Sequence, residues 1–325
     1  MTAPLPVGVI GVGALGGHHA RHLAASHGAV LVGVYDEDRL RAETVAEACG
    51  TRAFADLDSL LAQVEAVTVA VPTVCHAEVG VRALERGVAV LMEKPLAGSL
   101  AEADRLLAAA AAGGVPLQVG HVERFNRAIR GARRYLQEPK YLEMTRLAPF
   151  QLRGADVAVV LDLMIHDLDL LLHLTVGIEA SDVRANGVAV LSPHLDMANA
   201  RVEFATGAVA NVTASRMARE RVRRLRIFQP NGYFSLDLGT GLGEFMRLRP
   251  DFQPGASVSL DDVVERIPLQ APAADALGLE LASFVQVIKG QDAAVVTGLE
   301  GRAALALALR VSSAVGAAPA VVAGG

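Results

Sequence analysis

Short hydrophobic runs alternate with amphipathic segments along the first 120 residues of the chain. Apolar runs bounded by glycine, proline or charged residues are typical of strands that are buried on both faces. They occur at Val7–Ile10, Val30–Tyr35, Ala66–Val71, Val88–Met92 and Leu117–Gly120. The segments between them have helical spacing, so this part of the chain predicts a doubly wound parallel sheet with right-handed crossovers.

After residue 121 the pattern changes to strand-like runs that are separated by turn signals. These runs are Leu142–Leu147, Asp182–Val190, Asn199–Phe204, Ala208–Ala214, Arg223–Gln229 and Tyr233–Asp237. Gly207 and the pair Asn231-Gly232 are typical of hairpin turns, which join antiparallel strands. We predict an α/β chain with a doubly wound domain over residues 1–121, followed by an α+β domain with a large, open, mostly antiparallel sheet over residues 122–325.

The predicted sheet of the second domain would carry helices on one face, and its other face would be exposed to solvent unless something packs against it. The equivalent sheet of a second copy is the simplest cover for that face. We therefore expect a homodimer or homotetramer that assembles through the C-terminal sheet.

A glycine-rich turn follows the first strand and opens a helix. It reads Gly11-Val12-Gly13-Ala14-Leu15-Gly16. Gly11 would make the tight turn, Gly13 would let the backbone approach a pyrophosphate, and Gly16 would let the helix pack close to the strand. The N-terminus of the helix would then present its unpaired amides to phosphate groups.

Asp36 ends the second strand at the spacing, about 20 residues beyond the glycines, of an acid that binds ribose hydroxyls. Such a carboxylate accepts hydrogen bonds from NAD and repels the 2′-phosphate of NADP. The combination of strand, glycines, helix, strand and acid predicts a Rossmann domain that binds NAD. Arg39 and Arg41 lie nearby and keep NADP possible.

Composition narrows the functional classes. Hydrophobic residues make up 52% and charged residues 20% of the 325 residues, which is ample for a large core and for two domains. The formal net charge of −5 offers no basic patch for nucleic acid. No apolar run reaches the length that a bilayer requires and no signal peptide is evident, so we expect a cytoplasmic protein. Cys49 and Cys75 are too few for a disulfide framework.

Two short segments follow predicted strands at the carboxyl edge of the parallel sheet, where open α/β sheets bind ligands. They are Pro72–His76 and Glu93-Lys94-Pro95. A lysine that is fixed by a following proline could donate a hydrogen bond to a substrate hydroxyl or carbonyl. A surface lysine at a turn is the alternative interpretation of Lys94.

The segment Asp156–Leu174 is apolar almost all round, which predicts a buried helix. Asp162, His166, Asp169 and His173 follow one another at steps of four, three and four residues, which would place them on one face. Because unpaired charge is costly to bury, this stripe must be paired or must face a wet pocket. Asp162 could orient the imidazole of His166, as a general base requires.

Three interpretations of this stripe are open at this point. It is a polar network that holds the helix to the sheet, a metal site that uses His166-Asp167 and His173 as in His-Asp phosphohydrolases, or a catalytic group beside the nicotinamide. We favour the catalytic interpretation, because further histidines at suitable intervals are lacking for a metal site.

Two other clusters have an ordinary alternative. His18, His19 and His22 invite a metal interpretation, but nothing nearby completes a ligand set, so we interpret them as polar surface near the cofactor. Arg216–Arg226 is rich in arginine. A solvated loop is the ordinary interpretation, although the segment could reach an anionic substrate such as a nucleotide sugar.

The motifs together resemble those of the Gfo/Idh/MocA oxidoreductase family over nearly the whole chain. They are Gly11–Gly16, Ala70-Val71-Pro72-Thr73, Glu93-Lys94-Pro95 and Asp162–His166. The resemblance implies a nucleotide-binding domain followed by an open-sheet domain for substrate binding and oligomerisation. The stretch Gly120–Asn126 is closer to members that oxidise C3 of UDP-N-acetylhexosamines or related uronates.

The resemblance also implies roles for individual residues. Lys94, Asp162 and His166 would be catalytic, and Arg124 and Asn126 would bind the substrate together with them. The residues that would bind the dinucleotide are Gly11, Val12, Gly13, Ala14, Leu15, Gly16, Asp36, Val71, Pro72, Thr73, His76, Glu93 and Lys94. No metal is expected.

These roles predict the transfer of a hydride between a nicotinamide and a sugar, nucleotide-sugar or cyclitol carbon. His166 would take the proton of the hydroxyl, Asp162 would hold the imidazole, and Lys94 would stabilise the developing oxyanion. A dinucleotide-binding regulator without turnover is the alternative from a different class. An imine or enoate reductase, or a dihydrodiol dehydrogenase, is the alternative among enzymes on this scaffold.

Overall fold

The computed structural model describes residues 3–151, 157–175, 178–252, 259–292 and 294–317. The chain divides into two compact units. The first contains Met1–Phe125 and Ala274–Leu305, and the second contains Asn126–Ala273 and Ala306–Gly325. Asp156, the first residue of the predicted buried helix, lies outside the described residues.

The first unit contains a parallel sheet of six strands. They are β1 (Leu5–Ile10), β2 (Ala29–Tyr35), β3 (Arg52–Ala53), β4 (Ala66–Val69), β5 (Ala89–Glu93) and β6 (Leu117–Gly120). Its helices are α1 (Ala14–Ala24), α2 (Arg39–Cys49), α3 (Leu57–Leu61), α4 (His76–Leu84) and α5 (Leu100–Gly113). The strand order β3-β2-β1-β4-β5-β6 is that of a Rossmann fold, which confirms the predicted fold of this part.

The second unit contains a separate sheet of eight strands. They are β7 (Tyr141–Leu147), β8 (Ala180–Val188), β9 (Met197–Phe204), β10 (Val209–Ser215), β11 (Val222–Gln229), β12 (Gly232–Asp237), β13 (Leu242–Leu248) and β14 (Val264–Pro268). The strands lie in the order β14-β13-β12-β11-β7-β10-β9-β8. β7 and β10 are parallel, and the other neighbours are antiparallel, as predicted. β13 and β14 were not among the predicted strands.

This sheet has one buried and one open face. Along β7 the side chains of Leu142, Met144 and Arg146 are buried, whereas the residues between them are partly exposed. On the open face Phe228 packs against Tyr141 and stacks on Tyr233, with ring centroids 5.7 and 5.2 Å apart. An aromatic patch across β12, β11 and β7 on the open face is the kind of surface that a second protein chain covers.

The helices of the second unit are α6 (Arg127–Ala132), α7 (Ile165–Leu174) and α8 (Leu260–Val263). The buried helix predicted from Asp156 onward is interrupted, because Val160–Met164 forms a π-helical turn before α7 begins. Asp169 is fully buried, whereas Asp162, His166 and His173 are partly exposed. Because a π-helical turn has a different spacing from an α-helix, the prediction that Asp162 lies on the same face as His166, Asp169 and His173 assumed a regular helix that the structure does not have.

Two helices follow the eight-stranded sheet, α9 (Ala276–Ile288) and α10 (Gly298–Ala317). Because α9 follows the second sheet in the chain, the sequence predicts that it belongs to the second domain. However, three residues of α9, Leu281, Phe284 and Val285, pack in the core of the first unit with Val9 and Leu23. The predicted boundary near residue 121 stays a prediction. None of the helices in the described ranges combines the length and the apolar character that crossing a membrane requires.

Candidate functional site

The glycine turn between β1 and α1 has the geometry of a phosphate-binding turn. Gly11 adopts a φ of +79°, and a Cβ at that position would lie 2.7 Å from Cγ1 of Val71. A Cβ on Gly16 would overlap the carbonyl oxygen of Gly11, so only glycine lets α1 pack this close to the turn. A Cβ on Gly13 would meet nothing within 4 Å, which leaves open space where a pyrophosphate can approach the backbone.

The first turn of α1 presents backbone amides without a competing side chain. Gly13 is the N-cap residue, and no side-chain oxygen accepts a hydrogen bond from the helix there. Because helix N-termini carry a partial positive charge and unsatisfied N–H groups, this end favours an anion. The turn therefore fits the phosphate groups of a dinucleotide.

Asp36 lies at the end of β2, directly beside this turn. Its carboxylate accepts hydrogen bonds from the backbone N–H of Val12 at 2.8 Å and of Asp38 at 2.9 Å. Arg41 places its guanidinium 3.2 Å from the same carboxylate and also pairs with Asp38, whereas Arg39 pairs with Glu43. Asp36 is thus held where the ribose-binding acid of an NAD site is expected.

His76 contacts both of the segments that follow β4 and β5 at the carboxyl edge of the parallel sheet. Thr73–Cys75 forms a 3₁₀ turn after β4, and His76 begins α4. The ring nitrogens of His76 lie 3.0 Å from the carbonyl oxygen of Val71 and 2.9 Å from that of Pro95. Burial lowers the pKa of His76, and the two carbonyl contacts act in the opposite direction. His76 therefore ties the segment after β4 to the segment after β5, while its contact with a nicotinamide stays a prediction.

Glu93 occupies a buried position at the end of β5. Its Oε1 lies 3.1 Å from Nε2 of His19, and its Oε2 accepts the backbone N–H of Lys94 at 3.1 Å. A Cβ on Gly120 would lie 3.0 Å from an oxygen of the same carboxylate, so the neighbouring strand packs tightly against Glu93. The side chain of Lys94 follows at the carboxyl edge of the sheet, where it is partly exposed, and the Lys94-Pro95 peptide bond is cis.

The interpretation of the histidine cluster as polar surface is wrong for His19. This residue is fully buried in α1, whereas His18 is exposed. No group of three or more potential metal ligands occurs among the residues that the structure describes. Local sequence gives no signal for the role of His19, because its partner Glu93 lies 74 positions away.

The two substrate-binding residues predicted after β6 have structural contacts. Arg124 is buried in the first unit, where its guanidinium pairs with Glu300 and donates to the carbonyl oxygen of Val295 at 2.9 Å. Asn126 in the second unit caps α6 through the N–H of Ala128 and donates to the carbonyl oxygen of Leu238 at 2.8 Å. Their contact with a substrate stays a prediction.

A small cavity in the second unit lies beside the π-helical turn. Its volume is about 150 Å³, and Asp162 lines it together with Arg146, Arg216, Arg221 and Arg223. It is located where β7 and β10 end and β11 begins. The structure thus brings Asp162 next to arginine side chains that the sequence placed in a separate segment.

Two of these arginines are held by buried carboxylates. Arg146 makes two hydrogen bonds of 2.9 and 2.8 Å to Asp167, which ties α7 to the sheet. Arg216 donates to Asp196 at 2.8 Å and to the carbonyl oxygen of Val157 at 2.8 Å. Asp167 does not belong to the stripe of Asp162, His166, Asp169 and His173, so this contact leaves the interpretation of the stripe a prediction. The interpretation of Arg216 as part of a solvated loop is wrong, because its side chain is buried.

Asp196 is fixed by more than its arginine. Burial acts to raise its pKa, but hydrogen bonds from the N–H groups of Val190 and Leu191 and from Arg216 outweigh burial and hold the pKa well below its usual range. Asp196 was not identified from the sequence, since a single acid between a loop and a strand carries no distinguishing pattern.

Comparison with known proteins places the chain in one family. Residues 5–121 match the NAD-binding Rossmann-fold domain of the Gfo/Idh/MocA oxidoreductase family, and residues 135–235 match the C-terminal domain of the same family. A UDP-N-acetylglucosamine 3-dehydrogenase from Acidithiobacillus ferrooxidans is 42% identical over 313 residues, which cover 95% of this chain and 96% of that protein.

Solved structures and a more distant relative agree with this placement. A crystal form of the Acidithiobacillus ferrooxidans dehydrogenase superposes with a TM-score of 0.89 at 40% identity, covering 97% of this chain and 98% of that chain. A myo-inositol 2-dehydrogenase from Thermotoga maritima is 28% identical and covers 93% of both chains. GenD2 from gentamicin A biosynthesis, solved with NAD, shares the fold with a TM-score of 0.80 at 22% identity, covering 98% of this chain and 95% of that chain. The chain belongs to the Gfo/Idh/MocA family of oxidoreductases and begins with that family's NAD-binding Rossmann domain.

Proposed function

We propose that this protein is a nucleotide-sugar dehydrogenase that oxidises a ring hydroxyl to a ketone, with C3 of UDP-N-acetylglucosamine as the first candidate position. The observation that carries the proposal is the 42% identity, over 95% of this chain, to a UDP-N-acetylglucosamine 3-dehydrogenase. The chain belongs to a family of oxidoreductases. We propose the class of substrate and the roles of the individual residues.

Bound NAD supplies the hydride acceptor in this chemistry. Lys94 donates a hydrogen bond to the oxygen that becomes the ketone and stabilises negative charge on it. Its position at the carboxyl edge of the parallel sheet, with its backbone N–H bound to Glu93, supports this role. A buried carboxylate that holds the main chain at this point keeps the lysine from shifting.

His166 takes the proton of the substrate hydroxyl. It lies in the first turn of α7, directly after the π-helical turn that contains Asp162. π-turns within helices occur frequently at functional sites, because they redirect side chains that a regular helix would bury. Both residues are partly exposed on a helix that is otherwise largely buried, and Asp162 orients the imidazole.

NAD is the proposed preference over NADP. The carboxylate of Asp36 is fixed by two backbone N–H groups at the end of β2, where it meets the ribose hydroxyls. Arg41 is engaged with the carboxylates of Asp36 and Asp38, and this supports the same preference.

A regulator without turnover is the rival proposal, and it is disfavoured because Lys94 and His166 are both present in this chain. We also propose assembly through the open face of the eight-stranded sheet, which the aromatic patch of Phe228 supports. A cytoplasmic location is a further proposal, and it rests on the sequence pattern alone.

The test is the reduction of NAD by the purified protein in the presence of UDP-N-acetylglucosamine, UDP-N-acetylgalactosamine, myo-inositol or glucose 6-phosphate. We expect NADH absorbance with a UDP-N-acetylhexosamine and a keto sugar as the product by mass spectrometry. Turnover of only a free cyclitol or sugar phosphate would contradict the proposed substrate class, and turnover of none would contradict the proposed activity.

A further inference from the structure

The cavity beside Asp162 has an unusual balance of charge. Four arginines and one carboxylate occur among the described residues that line it. A larger cavity of about 520 Å³ on the open face is balanced, since Arg224 and Arg226 meet Asp237 and Glu244 there. The lining of the small cavity is thus richer in basic than in acidic side chains.

Arg146 and Arg216 form rigid walls of this cavity. Their guanidinium groups are buried and are held by Asp167 and Asp196. Two buried ion pairs rarely add stability over apolar packing, because the desolvation of each charge is costly. The two ion pairs instead fix the positions of the Arg146 and Arg216 guanidinium groups at the cavity.

Arg221 and Arg223 supply exposed guanidinium groups at the mouth of the cavity. Arg223 lies directly opposite Arg146 in the antiparallel pairing of β11 with β7, so both side chains project from the same face of the sheet. The planar fork of arginine matches phosphate oxygens, so this corner of the sheet has the side chains that a phosphate site uses.

The size of the cavity indicates which part of a ligand it accepts. Complete small-molecule sites usually measure about 300–1,000 Å³. A volume of about 150 Å³ accommodates one compact group of a larger ligand. Asp162, which we propose as the residue that orients His166, lines the same cavity, so the group bound there can belong to the proposed substrate.

We propose that this cavity binds the diphosphate of a nucleoside diphosphate sugar, with Arg221 and Arg223 as the phosphate ligands and Arg146 and Arg216 as the fixed walls. This inference rests on the proposed function, and it names the part of the chain that selects nucleotide sugars over free sugars and cyclitols. The arginines of β11 thus differ by their face of the sheet. Arg223 lines the proposed phosphate cavity, whereas Arg224 and Arg226 lie on the open face.

The experiment measures binding without turnover. UDP and free N-acetylglucosamine are titrated calorimetrically into the NAD-loaded protein, its Arg221→Gln and Arg223→Gln variants, and Arg224→Gln as the matched control on the opposite face of the same strand. We expect the wild type to bind UDP, each test variant to lose about ten- to hundredfold in affinity, and the control to equal the wild type. Raising the salt concentration should weaken UDP binding in the wild type more than in the variants.

The inference is overturned if the wild type does not bind UDP, or if both test variants bind it as tightly as the control. A thermal melt of each variant checks folding, and the exposure of Arg221 and Arg223 predicts little change. If UDP binds as expected but no nucleotide sugar reduces NAD, the inference stands and the proposed function fails. If nucleotide sugars react with the same KM in the wild type and both test variants, the inference fails while the proposed function stands.

Discussion

Nε2 of His19 in α1 lies 3.1 Å from Oε1 of Glu93 at the end of β5, and both side chains are buried. The other oxygen of the same carboxylate accepts the backbone N–H of Lys94. His19 is thus connected, through one carboxylate, to the main chain of the lysine that we propose as catalytic. We therefore expect His19 to act as a positioning residue, because its side chain is buried and its contact with Lys94 runs through Glu93.

Replacing His19 with leucine should destabilise the first unit. The substitution leaves one oxygen of a buried carboxylate without its partner, which costs about 1–3 kcal/mol and more for a charged group. His19→Gln is the matched control, because its side-chain amide can donate to the same oxygen. Urea unfolding followed by circular dichroism should give a lower midpoint for the leucine variant than for the glutamine variant. A leucine variant as stable as the wild type would remove the proposed positioning role.

Replacing Asp36 with asparagine should shift the cofactor preference from NAD towards NADP. The amide oxygen still accepts the N–H of Val12, but the negative charge that repels a 2′-phosphate is lost, and Arg41 keeps only its ion pair with Asp38. We expect NAD affinity to fall about tenfold, the effect of losing one charged hydrogen bond, and NADP affinity to rise. Calorimetric titration of both cofactors checks this, with Arg39→Gln as the control because Arg39 pairs with Glu43. Tighter binding of NADP than NAD by the wild type would contradict the assignment of Asp36.

The stability of the second unit should fall in acid because of Asp196. Its folded pKa lies below the unfolded value of about 3.9, so its ionised form stabilises the fold fully above that value. This contribution is lost progressively as the pH falls below about 4, since protons then bind the unfolded chain more readily. Urea unfolding between pH 7 and pH 3 should show this loss in the wild type.

The Asp196→Asn variant provides the comparison for that pH series. It leaves Arg216 buried without its carboxylate, which costs about 3–5 kcal/mol at neutral pH. Its stability should then depend less on pH below 4 than that of the wild type. Parallel curves for the two proteins would show that Asp196 is not the group responsible.

The open face of the eight-stranded sheet should form the interface between copies of this chain. Phe228, which is 37% exposed, stacks on Tyr233 and packs against Tyr141 on that face. Phe228→Asp would place a charge in the middle of an apolar contact and should yield a smaller species by multi-angle light scattering. Val30→Asp is the control, since Val30 is an exposed apolar residue on β2 outside this sheet. A monomeric wild type, or an unchanged assembly of the Phe228 variant, would contradict this expectation.

Local patterns were sufficient to predict the cofactor turn and most of the strands. Gly11, Gly13, Gly16 and Asp36 act through backbone geometry and short spacing, so their arrangement follows from the sequence around them. The hairpins at Gly207 and Asn231-Gly232 were predicted for the same reason, and both join antiparallel strands.

Contacts between distant segments escaped prediction. The polar neighbours of His19 suggest a surface, and its burial depends on a carboxylate 74 positions away. Arg216 looks like one of several solvated arginines until Asp196 is placed beside it. β13 and β14 lie at one edge of the sheet, where Gly243, Glu244 and Glu265 weaken the apolar alternation. The π-helical turn was not predicted, because Asp162, His166, Asp169 and His173 keep the spacing of a regular helix in the sequence.

The rate of NADH formation by the wild type, Lys94→Met and His166→Asn proteins on a UDP-N-acetylhexosamine tests the central claim most directly. Each substitution keeps the approximate size of the side chain but removes the proposed charge stabilisation or proton acceptor. We predict that kcat falls by at least about a hundredfold in each variant while NAD binding is retained. A Lys94→Met or His166→Asn protein that turns over at the wild-type rate would contradict the account.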